Sequence, residues 1–532
     1  MALNSKIKVL MPREGIIIRS SGTYKYVYKV IRAYRNEKGQ PTNTRKQIGR
    51  LDLESGMLIP NENYYVYYET NSLEMLPSPD SVRSVGATFL IKQILERLGV
   101  RDALEDVFDS RAEEIMTIAI YMACRGNVME NLHDWCEGYT LHETSISSQR
   151  ASSLFATISQ NERMRFFRKW VSMMGEINYL AYDITSFSSY AEGIANTEWG
   201  YNRDGDKLPQ INFGCYFSEG SGLPVFYVTY PGSIVDKSHL PYMMAYNNEL
   251  GINEVGFIMD KGFCSTDNVA FMHSSKLKYI MGVEMRHKAT RDAIDSIRSE
   301  IVSVRNSLSS GVYARSVRSR FYGATTAMHI YYDTGLAERQ RRDLYRSVEN
   351  VASELRQMGQ ITQKEAKRYS RWFDIARDDN GSFSFQRNDS RVDQDALNCG
   401  FFCLLSNTEL DSSETLSVYR RKDFIEKTFD DLKNHIDMKR LRTHNDATTE
   451  GKLFCAFIAL IATSKMNSAV RSIDELNLSK RSVLSEFEKI KSITVHSGAR
   501  MMNPVTKTQR IVLESLDLCV DDLKNFIADY HP

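Results

Sequence analysis

Between Ile177 and Met285 the sequence breaks into five short apolar stretches of strand length, and two of them run into an aspartate. The first, Ile177 to Thr185 (INYLAYDIT), is apolar and β-branched and carries Asp183 near its end, where an otherwise buried strand has no structural use for a charge. Gln210–Phe217 and Leu223–Tyr230 follow, joined by Ser218-Glu219-Gly220-Ser221-Gly222, a composition that predicts a hairpin. A helical segment over His239–Leu250 leads to a fourth strand, Glu254–Met259, which stops on Asp260, and Lys278–Met285 supplies a fifth.

A meander of three strands, then a helix, then a fourth strand is the order of a ribonuclease-H-like mixed sheet. In that order strands 1 and 4 are neighbours, so Asp183 and Asp260, 77 positions apart, are expected side by side. Two carboxylates that close repel unless a cation lies between them. All-oxygen ligands favour Mg²⁺ or Mn²⁺ over zinc. Taken singly, each aspartate reads equally well as a strand-end residue capping a turn.

A third acid stands in Tyr419–Lys433, YRRKDFIEKTFDDLK. At 100° per residue, Tyr419, Lys422, Glu426 and Lys433 share one stripe of a single helix, while Ile425, Phe429, Leu432 and Ile436 form the apolar stripe that docks it. The alternative is an amphipathic helix whose charges are only solvated. An Asp, Asp, Glu set holds two divalent cations across a scissile phosphate, one activating a water or 3′-hydroxyl and the other stabilising the leaving oxygen. Lys422 and Lys433 would then lie along phosphates, with Tyr419 hydrogen-bonding or stacking. Arg420 and Arg421, with Lys427, Lys439, Arg440 and Arg442, make this the densest basic neighbourhood in the chain.

The remaining sequence organises around that core. Residues 1–76 read as a β-rich unit, in which Tyr24, Tyr26, Tyr28 and Val30 alternate with Lys25, Val27, Lys29 and Ile31. Pro77-Ser78-Pro79-Asp80 reads as a linker. Residues 80–175 are helical, and a basic helix containing Arg163, Arg165, Arg168 and Lys169 beside Phe166, Phe167 and Trp170 either grips DNA or packs with a wet face. The core occupies 176–292 and resumes over 398–470. Between them, 293–397 reads as an inserted subdomain with a strand at Arg320–Tyr332 and a helix marked by Leu344, Val348, Val351 and Leu355. Residues 471–532 form a helical tail ending in Gln509–Leu518.

Composition sets outer bounds. A formal charge of +1 over 532 residues gives no global basic signature, so any nucleic-acid surface must come from local clustering. The eight cysteines show neither a CxxC pair nor zinc-finger spacing and read as reduced thiols of a cytoplasmic protein. No signal-peptide core is seen in MALNSKIKVLMPREG, and the longest apolar run, Leu453–Ala462, is too short to span a bilayer.

At these residues the chain resembles the DDE transposases of bacterial insertion sequences, in the branch whose third acid sits in a Tyr-x2-Arg-x3-Glu-x6-Lys motif. Tyr419, Glu426 and Lys433 match in place, and Lys422 stands where the family usually has arginine. The segments YDITSF (Tyr182–Phe187), MDKGF (Met259–Phe263) and LPVFYVTYPGSIVD (Leu223–Asp236) also look like the family's, with Ser233 replacing a common asparagine. The resemblance implies a ribonuclease-H-like catalytic core with Asp183, Asp260 and Glu426 as metal ligands. It further implies an enzyme that binds double-stranded DNA at element ends, cleaves it and joins the freed 3′-hydroxyls to target DNA. At least two copies would be needed to hold two ends, on the bacterial nucleoid and away from any membrane.

Overall fold

The computed structural model describes residues 8–36, 38–53, 55–68, 81–140, 145–202, 204–471, 473, 479–494 and 500–528, the side chain of residue 237 excepted. The linker expected at 77–80 lies outside them. The chain divides into two compact units, residues 1–82 with 492–502, and residues 83–491 with 503–532.

In the first unit, β1 (Ile16–Ser21), β2 (Tyr24–Arg35), β3 (Pro41–Leu51) and β4 (Leu58–Pro60) form an antiparallel sheet in sequence order, followed by α1 (Glu62–Tyr68). The period-2 alternation puts Val27 on the inner face, where it joins Ile48, Leu58 and Tyr64 of α1 in a small core.

After β5 (Ser81–Ser84), the second unit opens with α2 (Gly86–Arg97), α3 (Val100–Phe108), α4 (Ala112–Arg125), α5 (Leu132–Tyr139), α6 (Ser148–Thr157) and α7 (Gln160–Met173). The basic helix α7 is a packed one. Phe166, Phe167 and Trp170 are buried, and three of its four basic side chains are paired within the unit, Arg163 with Glu450 at 3.2 Å, Arg168 with Glu249 at 3.8 Å and Lys169 with Asp106, while Arg165 donates to the Asp106 carbonyl oxygen at 3.4 Å.

The central sheet has nine strands: β6 (Tyr179–Ser188), β7 (Gln210–Ser218), β8 (Pro224–Pro231), β9 (Gly256–Met259), β10 (Lys278–Gly282), β11 (Ser307–Ser309), β12 (Val312–Phe321), β13 (Ala324–Asp333) and β16 (Phe401–Ser406). They lie in the order β11-β12-β13-β16-β10-β9-β6-β7-β8. β6, β7 and β8 form the expected antiparallel meander. After α8 (Asp236–Leu250) the chain returns to pair β9 parallel with β6, and after α9 (Thr266–Ser274) it pairs β10 parallel with β9.

Beyond α10 (Lys288–Asp295), the segment 293–397 contributes to this sheet. The single strand expected at Arg320–Tyr332 is a hairpin of β12 and β13, because Tyr322 and Gly323 both take positive φ (50° and 86°) and close a two-residue turn without an Asn-Gly or Asp-Gly signal. Only the stretch after it has a core of its own: α11 (Thr334–Gln357), α12 (Gln363–Tyr369), β14 (Phe373–Arg377), β15 (Phe383–Arg387) and α13 (Asp389–Leu397) enclose Val348, Leu355, Ile361, Tyr369, Phe373 and Val392.

Then come α14 (Ser412–Arg420), α15 (Asp423–Asp430) and α16 (Asp446–Arg471). α16 is apolar around most of its circumference and is long and apolar enough to cross a membrane, yet its residues are buried among α2, α4 and α6. Phe454 meets Phe166 edge-on at 5.1 Å. After α17 (Lys480–Glu488), β17 (Lys491–Thr494) and β18 (Arg500–Met502), the chain ends in α18 (Lys507–Ser515) and α19 (Val520–Ala528). α18 is the helix expected at Gln509–Leu518, ended early where Asp517 turns to a φ of 59°, and α19 is a further helix that was not expected.

Candidate active site

β6 runs farther than the sequence pattern indicates, so Asp183 is its fifth residue of ten and not a terminal one. What opens the strand at that point is its neighbour. β9 stops at Met259, paired with Tyr182, and the next residues on the two strands are Asp183 and Asp260. Parallel neighbours lie roughly 4.8 Å apart and present the same face, so the two aspartates stand side by side where β9 leaves the sheet. Asp183 is the one residue of Leu180–Ser188 that is not fully buried. The Ile184 backbone N–H donates to its Oδ1 at 2.8 Å.

Two side chains reach Asp260 from α14 and the turn after it. The Tyr419 hydroxyl donates to Asp260 Oδ1 at 3.4 Å, and Lys422 Nζ lies 3.5 Å from the same oxygen. Lys422 Nζ also sits 5.0 Å from the centre of the Tyr419 ring. Burial raises the Asp260 pKa, but Lys422, Lys261 and the Lys261 backbone N–H outweigh it and hold the carboxyl below its usual range. Burial first, then Asp260 and Asp183, push the Tyr419 hydroxyl far up, so it remains a protonated donor. Gly282, at the end of β10, leaves room for this contact: a Cβ there would stand 2.8 Å from the Tyr419 hydroxyl and 2.9 Å from the Lys261 nitrogen.

The single helix expected over Tyr419–Lys433 is three pieces. α14 ends at Arg420, α15 starts at Asp423, and Asp431–His435 is a π-turn. The break rotates Tyr419 and Lys422 toward Asp260, and the wider π-turn takes Lys433 off the shared stripe. Lys433 is buried and pairs with Asp204 at 2.7 Å. α15 docks through Ile425 and Phe429, with Phe424 and Phe429 against Phe217 at 5.9 and 5.5 Å. Glu426 rides on its exposed side. Among the described residues no group of three or more His, Cys, Asp or Glu side chains is gathered for a metal ion. The structure therefore brings together Asp183, Asp260, Tyr419 and Lys422, and leaves Glu426 facing solvent.

The basic neighbourhood is largely matched by acids that sequence spacing does not reveal. Arg421 pairs with the buried Glu219 at 2.6 Å, Arg420 approaches Asp333 at 3.9 Å, and Arg440 pairs with Asp206 at 2.5 Å. Asp204 and Asp206 come from the connection between β6 and β7, whose Asn-Arg-Asp-Gly-Asp-Lys run reads only as a polar loop. Gly282 likewise carries no signal without the fold.

The family described as Transposase DDE domain matches residues 177–462. The cryo-EM structure of the piggyBac transposase synaptic complex with hairpin DNA is similar at 10% identity and a TM-score of 0.35, over 84% of this chain and 83% of that one. No curated protein matches. The matched segment spans more than half of the chain and contains every residue of the site just described, and the protein belongs to the DDE transposase family.

Proposed function

We propose that this chain is a transposase of the bacterial insertion-sequence type, cleaving double-stranded DNA at the ends of its element and joining the freed 3′-hydroxyls to target DNA. The observation that carries this reading is the placement of Asp183 beside Asp260 on adjacent parallel strands, with Tyr419 and Lys422 converging on Asp260. The order β8-β7-β6-β9-β10 supports a ribonuclease-H-like core built from 176–292 and 398–470, with 293–397 inserted between the two parts.

Neighbouring carboxylates form an all-oxygen donor set suited to Mg²⁺ or Mn²⁺, and the Lys422 ammonium 3.5 Å from Asp260 is consistent with a negative centre there. Asp183 and Asp260 would hold the ions; Glu426, which stands apart from that pair on the exposed side of α15, would have to be brought to them to serve as the third carboxylate. Two such ions, when bound, supply an activated water or 3′-hydroxyl and a stabilised leaving oxygen. Tyr419 keeps Asp260 oriented by donating to it and, since its proton is held, takes no part as a base. Lys422 lies within reach of a phosphate arriving at the carboxylate pair. Holding two ends calls for a homodimer or larger assembly on DNA, in the cytoplasm at the nucleoid.

The test is cleavage and strand transfer on a duplex carrying the element end, with Mg²⁺ and with a chelator. Asp183→Ala, Asp260→Ala and Glu426→Gln each abolish cleavage but leave duplex binding in place, and the chelator does the same to the native protein. Retained cleavage in any one variant removes that residue from the site, and cleavage without joined product reassigns the protein as a nuclease.

A further inference from the structure

The charge of this chain is unevenly distributed. Residues 1–82 with 492–502 carry 13 Lys and Arg against 8 Asp and Glu, leaving 55 against 59 for the rest, so a nearly neutral protein contains a basic first unit. The outer face of its sheet, opposite α1, concentrates that charge. Cross-strand register places Arg19 of β1, Tyr26 of β2 and Arg50 of β3 in one row. Tyr24 and Tyr28 flank Tyr26 on the same face by alternation. The Arg50 guanidinium lies over the Tyr24 ring at 4.6 Å, and the Arg45 guanidinium lies over Tyr28 at 5.4 Å. Arg19 is exposed, and Arg45 and Arg50 are half-buried. Among the described residues none of the three arginines has an ion-pair partner, in contrast to Arg163, Arg168 and Lys169 of α7 and to Arg421 and Lys422 after α14, which are matched by acids.

We infer that this tyrosine face of the N-terminal sheet is a docking surface for the phosphate backbone of duplex DNA. The inference rests on the reading that DNA is the substrate, and it assigns binding to the β unit and not to α7. Duplex backbone is favoured over unpaired bases because two of the ring faces are already covered by guanidinium groups. The rings back planar guanidinium forks, whose geometry matches phosphate oxygens. Contact of this kind is blind to sequence and sensitive to salt.

The experiment uses the full-length protein and a fluorescent random-sequence duplex of about 40 base pairs, with affinity read by anisotropy across a salt series in the presence of a chelator. The triple variant Arg19→Gln/Arg45→Gln/Arg50→Gln is compared with a control of equal charge loss on the other unit, Arg286→Gln/Arg342→Gln/Arg346→Gln. Each lost phosphate contact lowers the slope of log affinity against log salt by about 0.9, so the sheet variant falls by roughly 2–3 and loses on the order of 100-fold in affinity at 0.1 M salt. The control keeps the native slope. Arg19 stacks on no ring, so Arg19→Glu tests the same face without disturbing its packing, and it lowers the slope by at least about 1. Arg45→Lys/Arg50→Lys preserves charge and keeps the slope. An unchanged slope in the triple and Arg19→Glu variants, or an equal loss in the control, overturns the proposal. So does a loss confined to single-stranded oligonucleotide. Binding under chelation does not depend on Asp183, Asp260 or Glu426, so an arginine-dependent slope in a protein that never cleaves would sink the catalytic reading alone.

Discussion

Lys433 is the residue whose assignment the fold changes most, and its replacement separates a DNA contact from an internal ion pair. Its ammonium lies 2.7 Å from Asp204, with side-chain exposures of 11% and 23%. At an effective dielectric of about 20 the gross attraction is about 6 kcal/mol, most of it offset by desolvation of the two groups. Lys433→Ala leaves the carboxylate of Asp204 without its ammonium. Loss of one partner of a fully buried pair costs about 3–5 kcal/mol, and the residual exposure here reduces that to about 2–3 kcal/mol. In a unit of more than 400 residues, an unfolding entropy of about 2 cal/mol/K per residue turns that loss into a fall in Tm of roughly 2–3 °C. Replacing both partners, Lys433→Met with Asp204→Leu, removes the stranded charge and recovers at least about half of the loss. Differential scanning fluorimetry on the four corners of the cycle measures the coupling, and duplex anisotropy on the same samples measures binding. A Lys433→Ala protein with native Tm and weakened DNA binding would refute the internal assignment and return Lys433 to the phosphates.

Burial, with Arg442 nearby, pushes the buried Lys452 down to about 7 from an unfolded value near 10.5. Between those two pH values the unfolded chain binds a proton that the folded one does not, so this lysine makes stability rise with pH across that window, by at most about 5 kcal/mol. Lys452→Met is accordingly more stable than the native protein at pH 7, with the advantage shrinking toward pH 10; a pH-independent difference in thermal shift would contradict this. Gly451 lets α16 cross α6, since a Cβ there would lie 2.1 Å from the Phe155 carbonyl oxygen. Gly451→Ala forces those backbones apart and costs about 1–3 kcal/mol, read as a lower Tm. Phe167→Ala removes a ring packed edge-on against Phe226 at 5.0 Å and Phe457 at 5.3 Å, and destabilises by about 3–5 kcal/mol in the same assay.

The aspartate pair was legible because strand periodicity and connection order are both short-range signals: an apolar run, a turn and a helix fix which strands become neighbours. The position of Asp183 within β6 was not legible, because where a strand ends depends on its partner, and β9 is four residues long. Periodicity assumes one continuous helix, so it placed Tyr419, Lys422, Glu426 and Lys433 on a common stripe. A two-residue break and a π-turn each reset that phase, and neither has a compositional mark in YRRKDFIEKTFDDLK. Ion pairs such as Lys433 with Asp204 join residues 229 positions apart and have no local signature at all.

The placement of α16 has a consequence for how the chain comes into being. α4 and α6 are synthesised some 300 residues ahead of the helix that covers them. At about 5–20 residues per second that interval is roughly 15–60 s, during which the apolar faces of the early helices have no native cover. Substitutions that make those faces stickier would lower the yield of folded protein without altering the finished structure. Slowing translation between residues 157 and 446 would have the same effect.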